Sequence, residues 1–215
     1  MKKTLYSLML NEDVVREIDV LAHQRGMNRS SLINQILADY VEVTTPERWI
    51  NDIFQSVEQL LAPSRELVPY VVPNARAMSM KSSLAYKYRP TVKYEVELRR
   101  TGRTGTGTLS VIFRTQSNAL IQSMTRFFRL WKQMEDRWLT EQGQPCRQYE
   151  LYDGKFLRSI RLPEEMGGSD DLAQAIADYV QTFDRLMKAY LAEELDPEQL
   201  QGEFRRDMAK QTMIL

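Results

Sequence analysis

The chain has few of the side chains that bind transition metals or form disulfide bridges. Its 215 residues include one cysteine, Cys146, and one histidine, His23, so an internal disulfide and a histidine-rich metal site are both excluded. No apolar run approaches the roughly 20 residues of a membrane span, and acidic residues begin at Glu12, before a signal-peptide core could end. We therefore expect a cytoplasmic protein with no cofactor and no membrane partner.

Patterns typical of catalytic centres are missing as well. A single histidine leaves no basis for an imidazole-based triad, and the sequence contains no nucleophile elbow. The glycine-rich stretch from Arg99 to Gly107 lacks the G-x-x-x-x-G-K-[ST] arrangement of a phosphate-binding loop. These absences predict that the protein is not an enzyme.

The net charge of zero conceals an uneven distribution of charge. Residues 63–115 carry ten basic and three acidic side chains, whereas residues 164–215 carry five basic and twelve acidic ones. A basic stretch is typical of a polyanion partner, although the middle and the tail could instead neutralise each other within one fold or dimer. Arg99, Arg100 and Arg103 surround a glycine-rich hairpin tip. We predict a second nucleic-acid contact there, with an ordinary flexible turn as the alternative.

The first 43 residues have the pattern of a strand followed by two short helices. Residues 4–10 are mostly apolar and precede Asn11, a favourable N-cap for a helix over about 12–25. Gly26 ends this helix, and Asn28 begins the next one. Apolar residues recur at helical spacing at Val14, Ile18, Leu21, Ala22, Leu32, Ile33, Ile36, Leu37 and Tyr40. A unit of about 40 residues buries too little surface to be stable alone, so it needs a second copy.

This pattern resembles the ribbon-helix-helix family of bacterial DNA-binding proteins, of the short CopG and Arc type. The resemblance covers residues 4–43. It is most specific from Leu10 to Tyr40, where the apolar spacing, the glycine and the basic-Ser-Ser opening of the second helix fall in register. It implies a homodimer in which two strands pair across the dimer axis and enter the major groove of double-stranded DNA.

The resemblance also implies which residues face the DNA. The alternation along the strand directs Tyr6, Leu8 and Leu10 to the core, and the start of the second helix to DNA phosphate. The residues implied for the bases are Leu5, Ser7 and Met9, and those implied for phosphate are Lys2, Lys3, Asn28, Arg29, Ser30 and Ser31. The two apolar base-facing residues could contact thymine methyl groups or another protein surface. The alternative for the start of the second helix is that its residues only cap the helix and do not bind phosphate.

Residues 46–215 show alternating and helical patterns of their own. A helix opens at Pro46, and the three prolines of residues 63–73 predict an irregular connector. Even positions from Leu84 to Leu98 are apolar or aromatic, which predicts a strand pair interrupted at Pro90. A return strand and the turn at Asp153-Gly154 complete two hairpins. Each hairpin precedes a long helix whose apolar residues are Leu120, Met124, Phe127, Trp131, Met134 and Trp138, or Leu172, Ile176, Tyr179, Phe183, Leu186 and Tyr190.

These patterns together predict the α+β fold class. A dimeric N-terminal ribbon-helix-helix would be followed by a larger α+β domain with two hairpin-plus-long-helix units on one mixed sheet. The predicted divisions are 1–45 for the DNA-binding module, 46–82 for a helix and a proline-containing connector, and 83–215 for an oligomerisation or partner domain.

The predicted function is that of a dimeric bacterial transcriptional regulator, a repressor associated with the nucleoid. One alternative is a DNA-coating or partition-type structural protein with a second basic DNA contact. Another is an antitoxin or phage-type interaction factor that binds a partner protein through residues 46–215. The expected partners are double-stranded DNA and further copies of the chain, as a homodimer or a higher oligomer.

Overall fold

The computed structural model describes residues 4–71, 76–85, 89–101, 104–164, 168–211 and 213–215. Within these ranges the helices are α1 (Glu12–Gln24), α2 (Arg29–Tyr40), α3 (Pro46–Leu61), α4 (Asn118–Glu141), α5 (Ser169–Leu191) and α6 (Pro197–Met208). The strands are β1 (Val68–Val71), β2 (Ala77–Ser83), β3 (Thr91–Thr101), β4 (Thr104–Phe113), β5 (Tyr149–Tyr152) and β6 (Lys155–Arg161). The chain is therefore of mixed α+β class, and each predicted hairpin leads into a long helix, as β3–β4–α4 and β5–β6–α5.

The strands form one six-stranded sheet in the order β1-β2-β3-β4-β6-β5. Every neighbouring pair is antiparallel, so the prediction of a mixed sheet was wrong. Parallel neighbours need a crossover that brings the second strand back in the same direction. Here the β5–β6 hairpin after α4 places β6 beside β4 in the opposite direction.

One face of the sheet forms the hydrophobic core together with the helices. Its buried strand residues include Met78, Met80, Val92, Tyr94, Val96, Leu98, Leu109, Val111, Phe113, Phe156 and Ile160. The apolar positions predicted for α4 and α5 are buried against this face, with Trp138 and Tyr190 partly buried at its margin, so those two predictions are confirmed. None of the helices in the described ranges combines the length and apolar content that crossing a membrane requires.

The predicted division between residues 82 and 83 falls inside β2. Trp49, Ile53 and Phe54 of α3 are buried in the same core as α4 and α5, because the apolar face of α3 packs against the sheet and α5. The predicted connector also contains β1, which pairs with β2. Residues 46–215 are thus a single folded unit in which α3, β1 and β2 belong to the core.

A short connection joins α2 to α3. It begins with a turn in which the Val43 amide donates to the Ala38 carbonyl at 2.8 Å and Glu42 takes a positive φ of 55°. Arg48 at the start of α3 pairs with Asp39 of α2. Side-chain contact as well as covalent linkage therefore connects residues 4–43 to the rest of the chain.

Candidate nucleic-acid interface

Residues 4–43 leave most of their apolar surface uncovered. Among the described residues, thirteen of the seventeen exposed large hydrophobic side chains lie in this module. Its two helices bury Ala22, Leu32 and Ala38, whereas the following helical residues stay exposed: Val14, Val20, Leu21, Ile36, Leu37 and Tyr40. Contiguous apolar surface of this kind marks an interaction site. The module in one chain therefore lacks a core of its own.

The predicted ribbon strand, residues 4–10, forms neither helix nor strand within the single chain. Its exposure nevertheless alternates: Tyr6, Leu8 and Leu10 are 81%, 53% and 41% exposed, whereas Leu5 and Met9 are 95% and 102% exposed. The even positions thus face the two helices more closely. A strand needs hydrogen-bond partners for its backbone, so the ribbon remains a prediction that depends on a second copy.

The start of α2 has the geometry of a capped helix N-terminus. The Asn28 side-chain oxygen accepts a hydrogen bond from the Ser31 amide at 2.9 Å, which confirms the predicted N-cap. The first amides of a helix have no intrahelical acceptor, and the helix dipole makes this end favourable for an anion. Ser30 is exposed beside these amides, so a phosphate could approach them from solvent.

Arg29 already has a carboxylate partner within the chain. Its Nε lies 2.6 Å from Oδ1 of Asp19 on α1, and its Nη2 lies 2.5 Å from Oδ2. This hydrogen-bonded guanidinium lowers the pKa of Asp19 below its usual value. Both side chains are about half exposed. A DNA phosphate would therefore have to share Arg29 with Asp19 or displace it.

Of the other predicted cations, the structure describes Arg99 and Arg100. Lys2, Lys3 and Arg103 lie outside the described residues. Arg99 is exposed, and its Nη2 lies 2.6 Å from a carboxylate oxygen of Glu97 on the same strand. A surface pair of this kind contributes little to stability, so it leaves Arg99 able to exchange partners.

Arg100 is buried, and the predicted nucleic-acid contact is wrong at this residue. Its guanidinium lies 4.8 Å from the ring centroid of Trp49, and its Nη1 donates to the Pro163 carbonyl at 2.7 Å. The physical reason is strand alternation, because Arg100 has the same parity as the buried Val96 and Leu98. The cation therefore ties α3 to the end of β6 instead of meeting solvent.

Sequence reasoning missed a row of arginines on α4. Arg126, Arg129 and Arg137, hereafter the α4 arginine row, are all exposed. Successive helical residues are rotated by 100°, which places the row opposite the buried side of α4, represented by Phe127 and Trp131. The sequence signal for the row is the spacing of its arginines, three residues and then eight. This signal is easily overlooked, because apolar residues lie between the arginines.

Comparisons with protein-family models, with curated proteins and with solved structures gave no match to this chain. The case for a nucleic-acid interface therefore depends on its own residues: the uncovered apolar surface of residues 4–43 and the capped start of α2 at Asn28.

Proposed function

We propose that the protein binds double-stranded DNA as a dimer, with residues 4–43 of two copies forming a ribbon-helix-helix. The uncovered apolar surface of this module carries the proposal. Pairing of residues 4–10 with the same segment of a second copy would provide hydrogen-bond partners for backbone N–H and C=O groups of both segments. It would also cover the side that includes Leu8 and Leu10, while α1 and α2 pack on their counterparts. Leu5, Ser7 and Met9 would then face outward.

Duplex DNA suits the outward side of such a dimer. The first turn of α2 offers backbone amides, a positive dipole end and Arg29, which together fit a phosphate. On the ribbon only Ser7 can hydrogen-bond a base, while Leu5 and Met9 fit thymine methyl groups. Binding should therefore depend strongly on salt and show modest sequence preference.

The full exposure of Leu5 and Met9 favours a second candidate, a DNA-coating protein whose dimers contact one another along the duplex. The antitoxin alternative receives less support, because residues 46–215 form a large folded unit rather than a short tail. Footprinting of the full chain on DNA upstream of its own gene separates these functions. A discrete protected site supports a regulator, and spreading protection supports a coating protein. No protection even at low salt would contradict DNA binding.

Replacing Asp19 with asparagine should strengthen DNA binding. The change removes the carboxylate that holds Arg29 and takes one negative charge from the phosphate-facing side. We expect affinity for duplexes of any sequence to rise roughly threefold to tenfold at low salt, with a salt slope steeper by about one. Fluorescence anisotropy over a series of salt concentrations measures both quantities.

Two further variants control this result. Glu17→Gln changes the net charge of α1 equally at an exposed position that does not bind Arg29, so it should raise affinity less. Arg29→Ala should weaken binding about equally on all sequences and flatten the salt slope by about one. If Asp19→Asn and Glu17→Gln raise the affinity for DNA equally, Arg29 is not a phosphate ligand. A sequence-selective loss in Arg29→Ala would mean that this residue reads bases.

A further inference from the structure

Among the described residues, the three side chains of the α4 arginine row have no acidic partner. In the described part of the chain, no carboxylate forms an ion pair with Arg126, Arg129 or Arg137. The basic residues from α5 onward are all held by carboxylates: Arg185, Lys188, Arg205, Arg206 and Lys210. The row is therefore a patch of three uncompensated positive charges.

The acidic residues of α4 cannot neutralise this patch because each of them is engaged elsewhere. Glu135 is buried and pairs with Arg158. Asp136 lies 2.5 Å from the Lys132 ammonium, and Glu141 lies 2.5 Å from the guanidinium of Arg205. The positive field of the row consequently extends into solvent, where it can attract a polyanion.

The chemistry of the row favours phosphate. All three cations are arginines, whose planar fork of donors matches phosphate oxygens better than an ammonium does. Gln122 and Gln133 lie on the same exposed stripe and add neutral donors. From Arg126 to Arg137 the row spans about 16 Å along the helix axis, which is roughly five nucleotides of one DNA strand at 3.4 Å per nucleotide.

The helix that carries the row and the helix that connects to the N-terminal module lie toward opposite edges of the sheet. α3, which connects to the module, packs against β1 and β3, whereas α4 packs against β5 at the other edge of the sheet. With neighbouring strands about 4.8 Å apart, the two edges of a six-stranded sheet are roughly 24 Å apart. A ligand on the row would therefore contact a different stretch of DNA from the one that the module contacts.

We propose that the α4 arginine row is a second, sequence-independent binding site for the phosphate backbone of duplex DNA. The choice of DNA as the polyanion rests on the proposed function, but the site shares no residue with the module. It lies apart from the predicted hairpin-tip contact, in which Arg100 is buried. Its role is to hold DNA that flanks the module's site, which adds affinity without sequence preference.

The test compares two triple variants of the full chain on a random-sequence duplex. The row variant is Arg126→Gln/Arg129→Gln/Arg137→Gln. The control variant replaces three equally exposed arginines without acidic partners near the β1–β3 side, Arg65, Arg76 and Arg89, also by glutamine. The row variant should lose roughly tenfold to a hundredfold in affinity at low salt, with a salt slope flatter by about 2.7, or 0.9 for each phosphate contact. The control variant should lose less than about threefold.

Three results would overturn the proposal. One is an equal loss of affinity in the row and control variants, which would mean that the net charge of the protein, and not the position of the row, determines the affinity. Another is normal DNA binding by the row variant with lost binding to vesicles containing anionic lipid, which would assign the row to a membrane surface. The third is normal DNA binding with lost self-association at low salt, which would assign it to an acidic surface of another copy.

Two further variants keep the test decisive. Replacing the three arginines of the row by lysine preserves their positive charge, so most of the salt slope should remain. Part of the affinity should be lost, because lysine lacks the planar fork of donors of the guanidinium group. Leu8→Pro disrupts the predicted ribbon. If DNA binding survives Leu8→Pro but is lost in the row variant, the row is supported and the proposed role of residues 4–43 fails. If DNA binding is lost in Leu8→Pro but survives in the row variant, only the proposal for the row is overturned. If the unmodified chain does not bind DNA, the proposed function and the proposal for the row are both overturned.

Discussion

Replacing Leu8 with proline should weaken dimer formation through residues 4–43 about a hundredfold and weaken sequence-dependent DNA binding with it. Proline has no N–H to donate to a neighbouring strand, and the change also removes an apolar side chain from the less exposed side of the segment. Each dimer carries two copies of the change. With about 1 kcal/mol for each lost hydrogen bond and a further cost for the clash of the ring, we expect roughly 3 kcal/mol, or a hundredfold weaker dimer.

The same substitution should leave the rest of the chain intact. Residues 4–10 make no secondary structure within one chain, so the melting temperature of the unit formed by residues 46–215 should not change. Leu8→Val is the matched control, because it keeps both the N–H and an apolar side chain and should bind DNA normally. Sedimentation and DNA titration of the two variants measure the effect. Undiminished sequence-dependent DNA binding by Leu8→Pro would exclude the ribbon.

Patterns that depend on local chemistry were predicted well from the sequence. Asn28 was predicted as the cap of α2, and its side-chain oxygen accepts from the Ser31 amide at 2.9 Å. Asp196 caps α6 in the same local way: its carboxylate accepts from the Gln199 amide, and the Gln199 side-chain oxygen accepts from the Asp196 amide. The 4-3-4-3-4 spacing of α4 and α5 also identified the buried sides of both helices. These features need only neighbours within one or two helical turns, which the sequence contains.

The strands β1 and β2 could not be predicted in the same way. β1 reads Val-Pro-Tyr-Val in a proline-rich stretch, and β2 contains Ala, Met, Ser and Lys but no β-branched or aromatic residue. Strand propensity depends mainly on neighbours across the sheet. Here Met78 and Met80 of β2 lie opposite Val96 and Tyr94 of β3. The pairing that makes these segments strands is therefore a tertiary feature.

The errors at the candidate site have a related origin. The sequence shows that Arg100 is charged and lies near a glycine-rich turn, which favours exposure. Its even parity with Val96 and Leu98 indicated the opposite, and burial over Trp49 follows that parity. The partner of Arg29 could not be predicted from the sequence either, because Asp19 lies on a different helix. Charge composition thus favours a polyanion as partner but cannot show which cations remain available for it.

A buried polar cluster between α4, α5 and β6 was missed for the same reason. Glu135 Oε1 accepts from Arg158 Nε at 2.9 Å and from Nη2 at 2.6 Å. Its Oε2 accepts from the hydroxyls of Tyr149 at 3.0 Å and Tyr179 at 2.9 Å. Burial and the nearby charge of Glu135 raise the pKa of Tyr179 well above its usual value, which keeps this residue a hydrogen-bond donor. Glu135 follows Trp131 by four residues, so helical spacing already placed it on the core side.

Replacing Arg158 with methionine should cost about 3–5 kcal/mol of unfolding free energy, because it leaves the Glu135 carboxylate buried without its cation. Arg158 and Glu135 are 1% and 2% exposed, so solvent cannot compensate. Chemical denaturation of the two proteins measures the difference directly. For a chain of this size the loss corresponds to a melting temperature roughly 10 °C lower.

The double variant Glu135→Gln/Arg158→Met shows whether the pair is the cause. Glutamine removes the charge but keeps an oxygen that can accept from Tyr149 and Tyr179, so the double variant should be more stable than Arg158→Met alone by about 2 kcal/mol. A double variant less stable than Arg158→Met would mean that lost packing, not the uncompensated carboxylate, causes the loss.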